Sequence, residues 1–176
     1  MKLIAGLGNI GTEYINTRHN VGFLFLDFLH KKNFNNFNFS LSKNINCYTF
    51  KSDDLIFIKP NGFMNNSGEL VKKALSYYKI PSTGLAVIHD DIDLPIGSYK
   101  MVNNGGSGGH KGVESIQNIL KTNDFLRIKI GVAPFNYNPS LNKAVDFVLK
   151  PFTNLELEQL DTAFNTLYFK MDQILN

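Results

Sequence analysis

The chain reads as an α/β protein: a single domain, residues 1–176, forming a three-layer sandwich in which helices flank a mixed, mostly parallel sheet. Three observations predict this. Strand-like and helix-like stretches alternate along the chain, which favours an α/β layer architecture. Residues 85–89 form an unbroken apolar run, as expected of a strand covered on both faces. The 176 residues suit one core, since a domain of roughly 150 residues buries about 68–70% of its unfolded surface.

Element by element, residues 2–7 read as a short buried strand ending at glycines. Residues 21–32 are apolar on nearly every side (Phe23, Leu24, Phe25, Leu26, Phe28, Leu29), which predicts a buried helix capped by Asn20. Residues 32–43 are rich in Asn and Phe without a clear period and read as a loop. Residues 48–51 and 55–59 flank Ser52-Asp53-Asp54 as a hairpin. A helix over 66–79 has Asn66 as its cap and Glu69 in capping-box register. Beyond the glycine-rich 103–112 loop come a helix to Lys121 and a strand over 126–132. The last helix has the strongest local signature. Phe152 is a staple residue, Thr153 a cap and Glu156 the box acid, and Leu157, Leu160, Phe164, Leu167, Met171 and Ile174 form one stripe.

Composition narrows the function classes. With 43% hydrophobic and 19% charged residues the chain is globular rather than disordered. The net charge of +3 is almost wholly lysine, with Arg18 and Arg127 the only arginines, so nucleic-acid binding is compatible but not demanded. Cys47 is alone, which leaves no disulfide framework and no thiolate metal cluster. The first residues reach Gly6 too soon for the apolar region of a signal peptide, and no run approaches the ~20 apolar residues of a membrane helix. A reduced cytoplasm is the expected setting.

Five stretches are candidates to carry chemistry. Gly6-Leu7-Gly8-Asn9-Ile10-Gly11 has the form G-x-G-x-x-G after a strand. The dinucleotide fingerprint also needs a helix opening at the glycines and an acid about 20 residues on. Residues 12–18 are polar without a stripe, and Asp27 lies inside the Phe/Leu helix, so the glycines read as a strand-exit turn. Asn9 is then a polar side chain at a strand end, where α/β folds place ligands. His19 lies just before a helix, where the partial positive charge favours a neutral ring able to accept a proton. A lone histidine is more often structural, so His19 needs a partner to be a base.

That partner is offered by His89-Asp90-Asp91-Ile92-Asp93, which follows the apolar strand. A metal site is conceivable there, but successive residues of an extended segment point to opposite sides, so Asp90 and Asp91 do not naturally share ligands. One Asp orienting a His tautomer is the more economical role. Phe63-Met64-Asn65-Asn66-Ser67-Gly68 leaves Asn65 free to face a ligand if Asn66 caps the helix. The run 105–112 lacks the order of a P-loop and reads as a lid or a close-approach loop for a polymer backbone, and Ser107 is not on a nucleophile elbow.

In this order and spacing, across residues 2–135, the motifs resemble the bacterial-type peptidyl-tRNA hydrolase family. The resemblance implies a monomer without metal or cofactor, whose partner is peptidyl-tRNA and which cleaves the ester between a peptide and the 3′ ribose, returning free tRNA to translation. It implies His19 as the base activating water, Asp90 as the acid that orients it, and Asn9 and Asn65 as amides holding the peptide and the reacting carbonyl. It also implies Tyr14 beside the tRNA terminus and Phe63 and Met64 as walls of the peptide groove. Lys100 stands as a phosphate-binding lysine, with His110, Lys111 and Lys129 as further substrate contacts. Four positions depart from the family pattern: Ile10 where Pro is common, Lys111 where Asn is usual, Val102 where a basic residue is frequent, and Lys129 where Arg is frequent. Rival readings are an RNA-binding module, for which His19 is dispensable, and a nicotinamide-dependent oxidoreductase, for which a nucleotide raises the melting temperature.

Overall fold

The computed structural model describes residues 1–33, 38–138 and 143–175; the side chains of Asn33 and of 172–175 are outside the description. Seven strands are joined in the order β2-β3-β4-β1-β5-β7-β6. They are β1 (Lys2–Gly6), β2 (Ser40–Ser42), β3 (Cys47–Ser52), β4 (Leu55–Pro60), β5 (Leu85–Pro95), β6 (Tyr99–Asn103) and β7 (Leu126–Ala133). The central four, β4-β1-β5-β7, run parallel, and β3 and β6 close this block antiparallel on either side. The mixed sheet with a parallel centre is the expected one.

Among the described residues five α-helices cover it: α1 (Val21–Asn33), α2 (Ser67–Tyr78), α3 (Lys111–Leu120), α4 (Ala144–Val148) and α5 (Asn154–Leu175). The period-2 alternation of the strands divides the core in two. Ile4, Ala86, Ile88 and Ile128 face Phe25, Leu26, Phe164 and Leu167 of α1 and α5. Leu3, Ala5, Leu85 and Val87 face Val71, Ala74, Val113 and Ile116 of α2 and α3. β1, β4 and the first half of β5 bury both sides, which is why the run that opens β5 is continuously apolar.

Gly6 of the first motif and Gly22 of α1 let two backbones meet. A Cβ on Gly22 would lie 2.4 Å from the Ile88 carbonyl oxygen and 2.5 Å from the Leu7 nitrogen, and one on Gly6 would lie 2.5 Å from the Gly22 carbonyl oxygen. Helix α1 therefore rests backbone to backbone on β1 and β5. The strand-exit reading was incomplete: these positions need the missing side chain for close approach.

Local signals were mostly met. The hairpin forms with Asp53 at φ 48° in its turn, and Thr153 and Glu156 make the reciprocal box at 3.3 and 2.7 Å. The α5 stripe holds at Leu160, Phe164, Leu167 and Met171, all buried, while the Ile174 side chain lies outside the described residues. Two caps differ from expectation. Asn20 does not cap α1, because its side chain is taken by the backbone of Asn9. Asn66 makes no side-chain cap on α2; instead the Ser115 hydroxyl of α3 accepts from Gly68 N at 3.0 Å, satisfying a first-turn donor from the neighbouring helix. Of the 32–43 loop, 34–37 lie outside the described residues, and 40–42 form the edge strand β2. Strand β6 and helix α4 were not anticipated.

Candidate active site

A cleft of about 360 Å³ opens at the carboxyl ends of the parallel strands, where their order lets ligands enter. Asn9, His19, Phe63, Met64, Asn65, Asp90, His110, Lys111 and Lys129, drawn from six separate segments, line it together. Tyr14 and Lys100 are not on its wall. Tyr14 meets the Phe63 ring edge-on at 6.4 Å, next to the cleft. Lys100 is exposed on β6 directly across from Lys129 on β7, so the two ammonium groups rise from the same face of the sheet.

His19 belongs to a 3₁₀ turn, Arg18–Asn20, which leads into α1. The side chain of Asn20, one residue on, holds the Asn9 backbone from both ends: Oδ1 accepts from Asn9 N at 2.8 Å and Nδ2 donates to Asn9 O at 3.0 Å. Asn9 Oδ1 in turn accepts from Met64 N at 2.7 Å. With that oxygen committed, the NH₂ end of the Asn9 amide is the donor left for the cleft. Asn65, at the next position, is exposed, and the Ser115 hydroxyl ties its carbonyl at 2.7 Å. Asn20, Asn9 and Met64 thus form one hydrogen-bonded frame, while Asn65 is tied separately to α3.

The centre of the site is a carboxylate serving two histidines. Asp90 Oδ1 lies 2.8 Å from His19 Nδ1 and 2.8 Å from His110 Nε2. His110 Nδ1 accepts from the Gly112 and Val113 backbone at 3.2 and 3.3 Å, capping α3. A backbone N–H can only donate, so the His110 proton must sit on Nε2 and point at Asp90. Burial alone would raise the Asp90 carboxyl, but His110 and His19 outweigh it and hold the group well below the usual carboxylate range. An ionised Asp90 requires His19 to carry its proton on Nδ1, which leaves Nε2 as a lone-pair acceptor at the cleft.

His89 backs this group. It is fully buried, its Nδ1 donates to the Asp90 carbonyl at 2.8 Å, and its ring meets that of His110 at 4.6 Å. Burial, reinforced by His110, pushes its pKa well below that of a free imidazole, so the ring is neutral. The alternation argument for the acids holds: Asp91 turns away from Asp90 and accepts from Lys129 Nζ at 2.6 Å. Lys111 pairs with Glu114 at 2.9 Å, both exposed. Cys47, buried with its thiol pushed up to about 12, takes no part.

One ligand atom each from His19, Asp90 and His110 lies within 4.8 Å of the others, the only such metal-competent group among the described residues. The fit to a cation is poor. Two ring nitrogens sit at hydrogen-bond distance from a single carboxylate oxygen, and the helix N–H groups fix His110 with its proton directed at that oxygen. The arrangement is that of a carboxylate orienting imidazoles.

Sequence reasoning missed the cap role of His110, the brace from Asn20 and the whole contribution of 144–149. Ala144, Val145, Val148 and Leu149 form an apolar wall of the cleft, with Val145 and Leu149 exposed. A helix of five residues leaves too short a pattern to read.

Comparisons with known proteins point to one family. The family model for peptidyl-tRNA hydrolase matches residues 3–176. The peptidyl-tRNA hydrolase of Lactobacillus johnsonii is 42% identical over 167 residues, covering 94% of this chain and 88% of that one. That of Thermodesulfovibrio yellowstonii is 44% identical over 178 residues, covering 100% and 93%. The crystal structure of the Acinetobacter baumannii peptidyl-tRNA hydrolase superposes with a TM-score of 0.88 at 26% identity, covering 99% of this chain and 88% of that one. Hydrolysis of peptidyl-tRNA is the function of these proteins, and the chain belongs to the peptidyl-tRNA hydrolase family.

Proposed function

We propose that this hydrolase cleaves the ester between the peptide and the 3′ ribose of tRNA by direct attack of water, with His19 as general base and Asp90 as the group that orients it. The observation that carries the reading is the shared Asp90 oxygen, 2.8 Å from His19 Nδ1, which leaves His19 Nε2 free at the cleft. Water bound there gives its proton to Nε2 as its oxygen attacks the carbonyl carbon. The tetrahedral intermediate collapses by breaking the bond to the ribose oxygen, which takes the proton back from the imidazolium. Ester and water become acid and alcohol, and Asp90 stabilises the transient charge on His19 without being protonated. An ester is activated relative to an amide, so a positioned water and a neutral imidazole suffice.

The amide NH₂ groups of Asn9 and Asn65 are suited to the reacting carbonyl and the peptide, and one well-aimed donor to the oxyanion is worth about 3 kcal/mol. Phe63 and Met64, with Val145 and Leu149 opposite, offer an apolar groove for peptide side chains. Tyr14, edge-on to Phe63, suits the tRNA terminus. Lys100 is read as a phosphate contact beyond the rim, and Lys111 and Lys129 as further substrate contacts. Of these, Lys100 has no protein partner among the described residues. His110 lines the cleft, but both its nitrogens are spent on protein groups, so its effect on substrate passes through Asp90. The reading includes one domain over 1–176, a monomer, no metal or cofactor, and a cytoplasmic setting; among the described residues no helix is long and apolar enough to cross a membrane.

The test is release of an N-blocked amino acid from aminoacyl-tRNA, with and without chelator. Release should survive chelation, and His19→Ala should cut turnover by about 10²–10⁴ while tRNA affinity stays within a few-fold. Loss of release with chelator would reject the metal-free mechanism. Equal losses of binding and turnover in His19→Ala would make His19 a substrate-holding group instead.

A further inference from the structure

We propose that His110 is a positioning residue that sets the base strength of His19 by donating to the same Asp90 oxygen on which His19 depends. The inference rests on the reading of His19 as base and adds the group that tunes it. Asp90 Oδ1 receives both rings at 2.8 Å, and the His19 and His110 centroids are 4.8 Å apart. A hydrogen bond from His110 withdraws negative charge from that oxygen. It thereby weakens the attraction that would otherwise hold a proton on His19, because a carboxylate satisfied by one donor stabilises a second cationic donor less.

Three features keep His110 in this role. The two N–H groups at the start of α3 fix its Nδ1 as an acceptor, so Nε2–H faces Asp90 without a competing tautomer. The neutral His89 ring packs against it at 4.6 Å, blocking rotation away from the carboxylate. Its side chain is only 6% exposed and that of Asp90 3%, so the bond is made away from bulk solvent. Of the other charges around the group, Asp91 is engaged with Lys129, Lys111 with Glu114 and Arg18 with Glu156, while the buried Arg127 acts on His89 and Asp91 from β7. Asp93 is the remaining nearby acid on β5; the aligned N-terminus of α3 contributes a fixed positive potential. None of these changes when His110 alone is replaced, apart from that helix end if its cap is lost.

The cap and the Asp90 bond can be separated. His110→Asn retains a side-chain oxygen able to cap α3, as Asn does at helix starts, but is too short to donate to Asp90. His110→Gln reaches toward Asp90 with an amide donor but gives up the cap. The readouts are the pH profile of kcat/KM and a substrate-free NMR titration of the His19 ring. In His110→Asn the acid limb of the profile and the His19 ring transition should both move up by roughly half to one pH unit. His110→Gln should stay near the parent value while losing thermal stability. Unmoved ring titration in a folded His110→Asn, or a shift in Gln and not in Asn, would overturn the proposal and leave His110 as a cap only. A ring shift with no change in the kinetic profile would support the tuning while rejecting His19 as the base.

Discussion

The turn Arg18–Asn20 sends consecutive side chains to two different regions of the molecule. Arg18 turns inward to the C-terminal segment: it donates to the Lys150 and Pro151 carbonyls at 3.1 and 2.8 Å, pairs with Glu156, and lies over the Phe147 and Phe152 rings. His19, the next residue, turns to the cleft and makes a single side-chain hydrogen bond, to Asp90. Both are charged or chargeable and largely buried, so burial alone does not tell anchor from active group. The number of satisfied donors does. The cation closed in by protein acceptors fixes the chain, and through α4 it holds the apolar wall against the cleft. The imidazole left with an open lone pair is available for chemistry.

The largest expected effect falls on the anchor. Arg18→Ala leaves the Glu156 carboxylate buried without its cation, which should cost about 3–5 kcal/mol in urea unfolding. Turnover per folded molecule should remain within a few-fold at low temperature. A loss below about 1 kcal/mol would dissolve the contrast, since the pair would then behave like a surface salt bridge.

Asp90→Asn acts on the other side. An amide can donate to His19 Nδ1 and so select the tautomer with its proton on Nε2, where a base needs a lone pair. Turnover should fall by about a hundredfold or more, and parent-like turnover would remove Asp90 from the mechanism. The same variant sharpens the pH behaviour. The folded Asp90 sits below its unfolded value near 4, so its stabilisation is present above that pH and is lost as pH falls through the lower, folded value. The acid-unfolding limb of Asp90→Asn should therefore be flatter than the parent's.

His89 gives a smaller effect of defined sign. Its folded pKa is depressed, so below about pH 6.5 the unfolded chain takes up a proton that the folded chain refuses. Stability should fall as pH drops from 7 toward 5, by at most about 1.4 kcal/mol per pH unit from this group. In His89→Gln that slope should shrink; an unchanged slope would mean that other groups govern it.

The smallest effect concerns the rim. Lys100→Ala should lower the slope of log affinity against log salt by about one for full tRNA and leave a short peptidyl-adenosine fragment unaffected. Lys111→Asn should change that slope less, because Glu114 already holds the Lys111 charge. Equal slopes in Lys100→Ala and the parent would show that Lys100 does not grip a phosphate.

What could be read in advance is what depends on neighbours in sequence. The doubly buried β5, the 52–54 turn and the box of Thr153 with Glu156 all arise from period, turn chemistry and contacts within four residues. The family motifs also marked His19, Asp90, Asn9 and Asn65, and the structure gathers all four on one cleft. What could not be read depends on distant partners. His19 and Asp90 are 71 residues apart, and no local signal says that they share an oxygen with His110. Asn20 looks like a helix cap until the backbone of Asn9 arrives to claim it, and Asn66 loses the same role to Ser115 on another helix. The sequence by itself determined the alternation of elements, the two apolar faces of the strands and the kinds of chemistry available. Only the tertiary structure decided which donor meets which acceptor, because a buried polar group takes the partner that packing brings to it rather than the one its own segment offers.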